Sequence, residues 1–184
     1  MRIALMAIAT AIFLTACGTA PEPKTTAPPA QSTAKQAVAN LASASGSLVS
    51  GKVTATPMAD GVHLTGTVGG LPANSTHGFH IHEKGDCSAA DASSAGPHFN
   101  PTAAPHGKAE SGAHHAGDMD NVVANNEGVV NLNVHITGVT LGGGAVNDIV
   151  GRALVVHAAP DDYTSQPAGN AGARVACGVI KVTQ

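Results

Sequence analysis

Residues 77–83, "HGFHIHE", alternate apolar and imidazole side chains, and how this stretch is read decides the fold. A β-strand sends successive side chains to opposite faces, so Phe79 and Ile81 are expected to enter a core while His80 and His82 project together from the other side. The same short period recurs outward from it. It appears in "GSLVSGKVTATPM" (46–58), "GVHLTGTVGGL" (61–71), "GVVNLNVHIT" (128–137), "IVGRALVVHA" (149–158) and "RVACGVIKVT" (174–183), separated by Gly, Asn, Asp and Pro clusters. Several short strands between turn signals predict an antiparallel sandwich or barrel. No segment is long and periodic enough to predict a helix. With no Trp, one Tyr and three Phe, the core must be built from Val, Leu, Ile and Ala. Two connections, 85–119 and 160–172, are longer than a sandwich needs, and loops of that length are usually functional or disordered.

The chain has 184 residues, 43% of them hydrophobic and 11% charged, which suits one globular domain. Lys and Arg number 9 against 12 Asp and Glu, with no basic run to neutralise phosphates, so no nucleic-acid partner is expected. The start, "MRIALMAIATAIFLTACG", has one positive charge and an apolar run too short to span a bilayer. It reads as an export leader over residues 1–16, and its ending, Leu14-Thr15-Ala16-Cys17, resembles a bacterial lipobox. Cys17 would then carry the lipid that anchors the chain to a membrane. Residues 17–44, rich in Pro, Thr and Ala, read as a disordered tether, which leaves 45–184 as the folded domain.

The ten histidines are the compositional oddity. His80 and His82 are spaced to grip one metal ion. The first long loop adds His98, His106, His114, His115 and Asp118, and strand "RALVVHA" ends at His157. Ordering a long loop costs conformational entropy, and metal ligation offsets such a cost. Neutral imidazoles suit copper and zinc alike, and an added carboxylate suits tetrahedral zinc.

"GFHIHEKGDC", "AGPHFNPTAAPHG", "HHAGDMDNV", "GRALVVHAAPDD" and "ARVACGVI" together resemble the successive signatures of the copper-zinc superoxide dismutases, in that family's order and spacing. The resemblance implies a flattened, eight-stranded antiparallel Greek-key barrel with two long functional loops. It implies copper on His80, His82, His98 and His157, and zinc on His98, His106, His115 and Asp118, with His98 shared and His114 only a neighbour. Asp161 would bind and orient one ligand of each metal. Arg174, which alone would read as an ordinary surface cation, matches the arginine that holds the superoxide anion beside copper. His63, His77 and His135 match no ligand position and read as surface or strand-edge residues.

If Cys17 is lipidated, Cys87 and Cys177 remain as one pair in an exported chain, which favours a disulfide. Closing about 90 residues, it would contribute roughly 4 to 5 kcal/mol. The function implied is dismutation of superoxide to dioxygen and hydrogen peroxide at the periplasmic face of an envelope membrane, the outer one favoured, by a monomer or homodimer. The alternative is a non-enzymatic copper- and zinc-binding lipoprotein on the same scaffold.

Overall fold

The computed structural model describes residues 31–109 and 111–184; the expected leader and Cys17 lie outside them. Ten short strands are present: β1 (Ala37–Ser43), β2 (Ser50–Pro57), β3 (Gly61–Gly69), β4 (Thr76–His77), β5 (Phe79–His82), β6 (Val122–Val123), β7 (Val130–Thr137), β8 (Ala153–His157), β9 (Arg174–Val179) and β10 (Lys181–Val182). Among the described residues the helical content is a single 3-10 turn, Ser93–Ala95. Eight strands form one curled antiparallel sheet in the order β5-β8-β9-β1-β2-β3-β7, with β10 beside β1; β4 and β6 pair separately. The chain crosses from β3 to β5, back to β7, and again to β8, the long connections expected of a Greek-key barrel.

Alternation places the core as the sequence predicts. Val53 and Ala55 of β2, Val62, Leu64 and Val68 of β3, and Phe79 and Ile81 of β5 are buried, while Thr65 and Thr67 of β3 face water. Each fully buried Val, Leu, Ile or Phe contributes about 1.5–3 kcal/mol by leaving water. The five residues of β8 are all buried, because both faces of that strand are covered. Leu154 and Val156 enter the main core, whereas Ala153 and Val155 pack outward against Ala44, Ala92, Ala95 and Cys177. The first long loop therefore lies against the outer face of the sheet, and the Cys87–Cys177 disulfide, with Cα atoms 5.8 Å apart, ties it to β9.

One expectation is corrected. The tether was expected to run through residue 44, yet β1 occupies 37–43 at the centre of the sheet, paired with β2 along one side and with β9 and β10 along the other. Order extends further upstream, since the amides of Thr33 and Ala34 donate to the Leu141 carbonyl and those of Lys35 and Gln36 to that of Gln184. The reason is compositional. β1 buries Ala37, Ala39 and Leu41, and two alanines give little apolar signal in sequence, although they let the strand pack closely.

A chain beginning at Ser45 would lack the strand that joins β2 to β9. We expect it to show no cooperative thermal transition by calorimetry, whereas a chain beginning at Gln31 melts cooperatively.

Candidate metal centre

Strand β5 aims the first two imidazoles and its neighbours supply the rest. His80 and His82 face outward opposite Val155 and Ala153 of β8, and a register shift at Val156/His157 turns the end of β8 so that His157 lies across from Arg174 of β9. The other edge of β5 is finished by the long loop rather than by a strand. Glu83 N donates to Pro97 O, Phe99 N to Ile81 O and Ile81 N to Gly117 O, each at 2.8–2.9 Å. These bonds set His98 against His82 and Asp118 against His80 as isolated bridges.

Two groups of four donors result: His80, His82, His98 and His157, and His98, His106, His115 and Asp118, with the donor atoms of each group within 4.8 Å of one another. His98 belongs to both. All seven side chains sit in residues no more than 6% exposed.

The hydrogen bonds sort the nitrogens. His80 Nε2 meets Asp161 Oδ2 at 2.8 Å, His82 Nδ1 meets Gly96 O at 2.8 Å and His157 Nδ1 meets Gly172 O at 3.3 Å. As donors to oxygen those nitrogens carry the protons, so His80 Nδ1, His82 Nε2 and His157 Nε2 hold lone pairs. His82 Nε2 and His157 Nε2 lie 3.3 Å apart, and two facing lone pairs repel unless a cation lies between them. In the second group, Nδ1 of His98, His106 and His115 lies 2.7, 3.0 and 3.1 Å from the Asp118 carboxylate. Backbone N–H groups of Gly107 and His115 hold Asp118 Oδ2 in place. Asp161 spans the two groups, touching His80 through Oδ2 and His106 Nε2 through Oδ1 at 3.0 Å.

The centre fits metal ions on an independent observation. His80 Nδ1, His98 Nε2 and His106 Nδ1 are buried without a hydrogen-bond partner, which costs about 1–3 kcal/mol each if nothing fills the role. Imidazole-only and imidazole-plus-carboxylate donor sets suit copper and zinc respectively.

Electrostatics keep the ligands in their metal-binding forms. Burial, reinforced by the neighbouring His98, lowers His82 to about 2; burial together with His80 lowers His157 to about 3. Burial also lowers His80 against the pull of Asp161, and lowers His115 against Asp118. Burial opposes ionisation of Asp118, but the bond from His98 and the Gly107 and His115 amides outweigh it and hold the carboxyl well below its usual range. His106 is the exception: burial lowers it, yet Asp161 and Asp118 together raise it.

Arg174 is half-buried. Its Nη1 donates to Ala92 O at 2.7 Å and its Nη2 to Gly96 O at 2.6 Å, leaving three of its five N–H donors for the cleft that it lines. That cleft, about 670 Å³, also exposes His82, His98 and His157. An anion entering it meets a fixed guanidinium beside the imidazoles. The Gly96 carbonyl thus holds both the cation and a histidine of the first group.

His115, not His114, joins the second group; His114 turns its Nδ1 to the His115 carbonyl at 2.7 Å. His77, expected at a surface or strand edge, ends the short strand β4 but is not on the surface. It is 3% exposed and ties Ser75 Oγ to the His157 carbonyl at 2.6 and 2.8 Å. Sequence reasoning also missed Asn121, whose side-chain amide exchanges two bonds with the backbone of Asp161, and Gln166, which does the same for His106. Gly169 was missed as well: its φ is +65°, and a Cβ there would overlap the Asp161 carboxylate. These contacts are between side chain and backbone across the chain, and only a Gly or Asn in a loop hints at them.

Residues 49–180 match the family model described as copper/zinc superoxide dismutase (SODC). Superoxide dismutase [Cu-Zn] 2 of Aquifex aeolicus is 42% identical over 149 residues, covering 79% of this chain and 86% of the relative. Superoxide dismutase [Cu-Zn] 1 of the same organism is 48% identical over 114 residues, covering 60% and 68%. Among solved structures, the clock protein EA4 superposes with a TM-score of 0.73 at 38% identity, over 84% of this chain and 98% of the other. A double mutant of a SOD-like protein from Bacillus subtilis gives 0.71 at 35%, over 78% and 96%.

Without metal, acid should destabilise the fold. His80, His82, His115 and His157 take up protons near pH 6.5 when unfolded but resist them when folded, so the unfolded chain binds more protons and stability falls as pH drops through that value. His106 works in the opposite sense, holding its proton when folded, but it is one group against four. Urea denaturation of metal-free protein should give a lower unfolding free energy at about pH 5 than at about pH 7.5; an equal or higher value would contradict this account.

Proposed function

We propose that this chain, which belongs to the copper/zinc superoxide dismutase family, holds copper on His80, His82, His98 and His157 and zinc on His98, His106, His115 and Asp118, at the face of a cell envelope. It is a copper- and zinc-dependent enzyme that converts two superoxide anions and two protons to dioxygen and hydrogen peroxide. The observation that carries the ligand assignment is the pair of four-donor groups sharing His98.

Bound copper supplies one-electron chemistry in both directions, and zinc, which has no redox chemistry, supplies charge and a fixed geometry. The chain does the rest. Arg174, always protonated, draws the anion into the cleft and orients it beside His82 and His157. His98 offers Nε2 to one site and Nδ1 to the other, so its Nε2 is the atom placed to hold a proton for the reduced product. Asp161 accepts from His80 and His106 and so keeps one ligand of each site in a single orientation. The second loop, residues 160–172, carries no lysine or glutamate, which leaves steering to Arg174 and to cations on the first loop.

The role at the envelope rests on the leader-like residues 1–16 and on Cys17 as lipid attachment site. The Cys87–Cys177 disulfide supports an oxidising compartment. Protection of the envelope from superoxide arising outside the cell follows from that placement.

Elemental analysis should find one copper and one zinc per chain. His98→Ala should lower both, while His114→Ala should lower neither; equal losses in the two variants would overturn the loop assignment. Arg174→Gln should retain both metals and lower the second-order rate constant for superoxide by roughly tenfold or more. Its rate should also lose most of the wild-type decline with ionic strength. Full activity with unchanged salt dependence would remove Arg174 from the mechanism.

A further inference from the structure

Arg152 belongs to neither donor group, yet it touches the residue that follows each of two donors. Its Nη1 donates to the Glu83 carbonyl at 2.7 Å, and Glu83 follows His82. Its Cζ lies 4.3 Å from the centroid of the Phe99 ring, within the reach of a cation–π contact, and Phe99 follows His98. His82 and His98 face each other as an isolated bridge. The guanidinium therefore grips both arms of that bridge one residue beyond it.

The base from which this side chain projects is itself fixed. The Arg152 N–H donates to Ile149 O at 3.1 Å, and its carbonyl accepts from Ile180 N at 2.9 Å; Nε adds a bond to the Asp148 carbonyl at 3.3 Å. Arg152 immediately precedes β8, whose last residue is His157, so the contacts refer His82 and His98 to the strand that carries a third donor of the same group. A guanidinium suits this place, since its planar fork donates edge-on while its face stacks on an aromatic ring. Phe99 is packed in the main core, where close packing prevents its ring from shifting independently of the backbone beside His98.

We propose that Arg152 is a positioning residue for the first donor group: through the Glu83 carbonyl and the Phe99 ring it holds His82 and His98 at the separation at which both imidazoles reach one ion. Its importance to catalysis rests on the reading of that group as the copper site, but the positioning is a property of the metal-free chain and is tested there.

The test follows exchange of imidazole N–H protons with solvent by NMR in metal-free protein. In Arg152→Gln, the protons that His82 Nδ1 directs to Gly96 O and His98 Nδ1 to Asp118 Oδ1 should exchange roughly tenfold faster or more. The proton that His80 Nε2 directs to Asp161 should keep its rate. Arg152→Lys keeps a cation near Phe99 but loses the fork, and should restore the His98 rate without restoring that of His82. Phe99→Leu should accelerate His98 and spare His82. In protein loaded with copper and zinc, Arg152→Gln should release copper to EDTA roughly tenfold faster than wild type. Unchanged exchange in Arg152→Gln overturns the proposal. Equal acceleration at His80, His82 and His98 overturns it too, since Arg152 would then be a general stabiliser of the fold. A wild-type chain that takes up no copper would overturn the copper reading and leave the exchange result standing.

Discussion

Three buried imidazole nitrogens without a hydrogen-bond partner, on His80, His98 and His106, set the condition on which the rest of the structure depends. Polar atoms are not left alone in protein interiors without cost, and here they cluster with the Nε2 atoms of His82 and His157 that face each other at 3.3 Å. Hydrogen bonding cannot satisfy such an arrangement, because every proton the rings carry is already directed elsewhere. Cations satisfy it. The low pKa values of His82 and His157 follow from the same burial, so the site excludes protons at the pH where it accepts metal.

This constraint explains the unusual construction around β5. A four-residue strand cannot present seven donors, so the loop is drawn along its free edge by backbone hydrogen bonds and brings His98 and Asp118 with it. The outer alanine cluster beneath residues 92–95 and the Cys87–Cys177 bridge hold the same loop at its other end. Arg174 completes the join, since its two bonds to Ala92 and Gly96 carbonyls attach this cleft-lining cation to the segment that carries His98. The donor groups, the disulfide and the guanidinium are therefore all attached to one segment of the first loop.

The second loop is organised from Asp161 outward. Asn121 grips its backbone, His80 and His106 its carboxylate, and Gly169 leaves room for it. By accepting from His80 on one oxygen and from His106 on the other, Asp161 fixes the spacing between the two donor groups.

Period-two alternation identified β2, β3, β5, β7, β8 and β9 and the outward pair His80 and His82, because the side-chain period of a strand is a local property of the backbone. Donor chemistry and the order of the motifs pointed to the seven donors that the fold gathers into two groups, and to Asp161 and Arg174 beside them, because histidines are unusually many and acids few in so weakly charged a chain. The sequence misled at β1, where alanines in a Pro- and Thr-rich neighbourhood gave no apolar pattern although the sheet needs that strand at its centre. It did not anticipate the burial of His77, and it was silent on Asn121, Gln166 and the carbonyl of Gly96. Their roles arise from backbone groups brought together over separations of 80, 40, 60 and 14 residues. Which nitrogen of each ring is free was likewise decided only by the tertiary structure, since that depends on which oxygen the folded chain places against the other nitrogen.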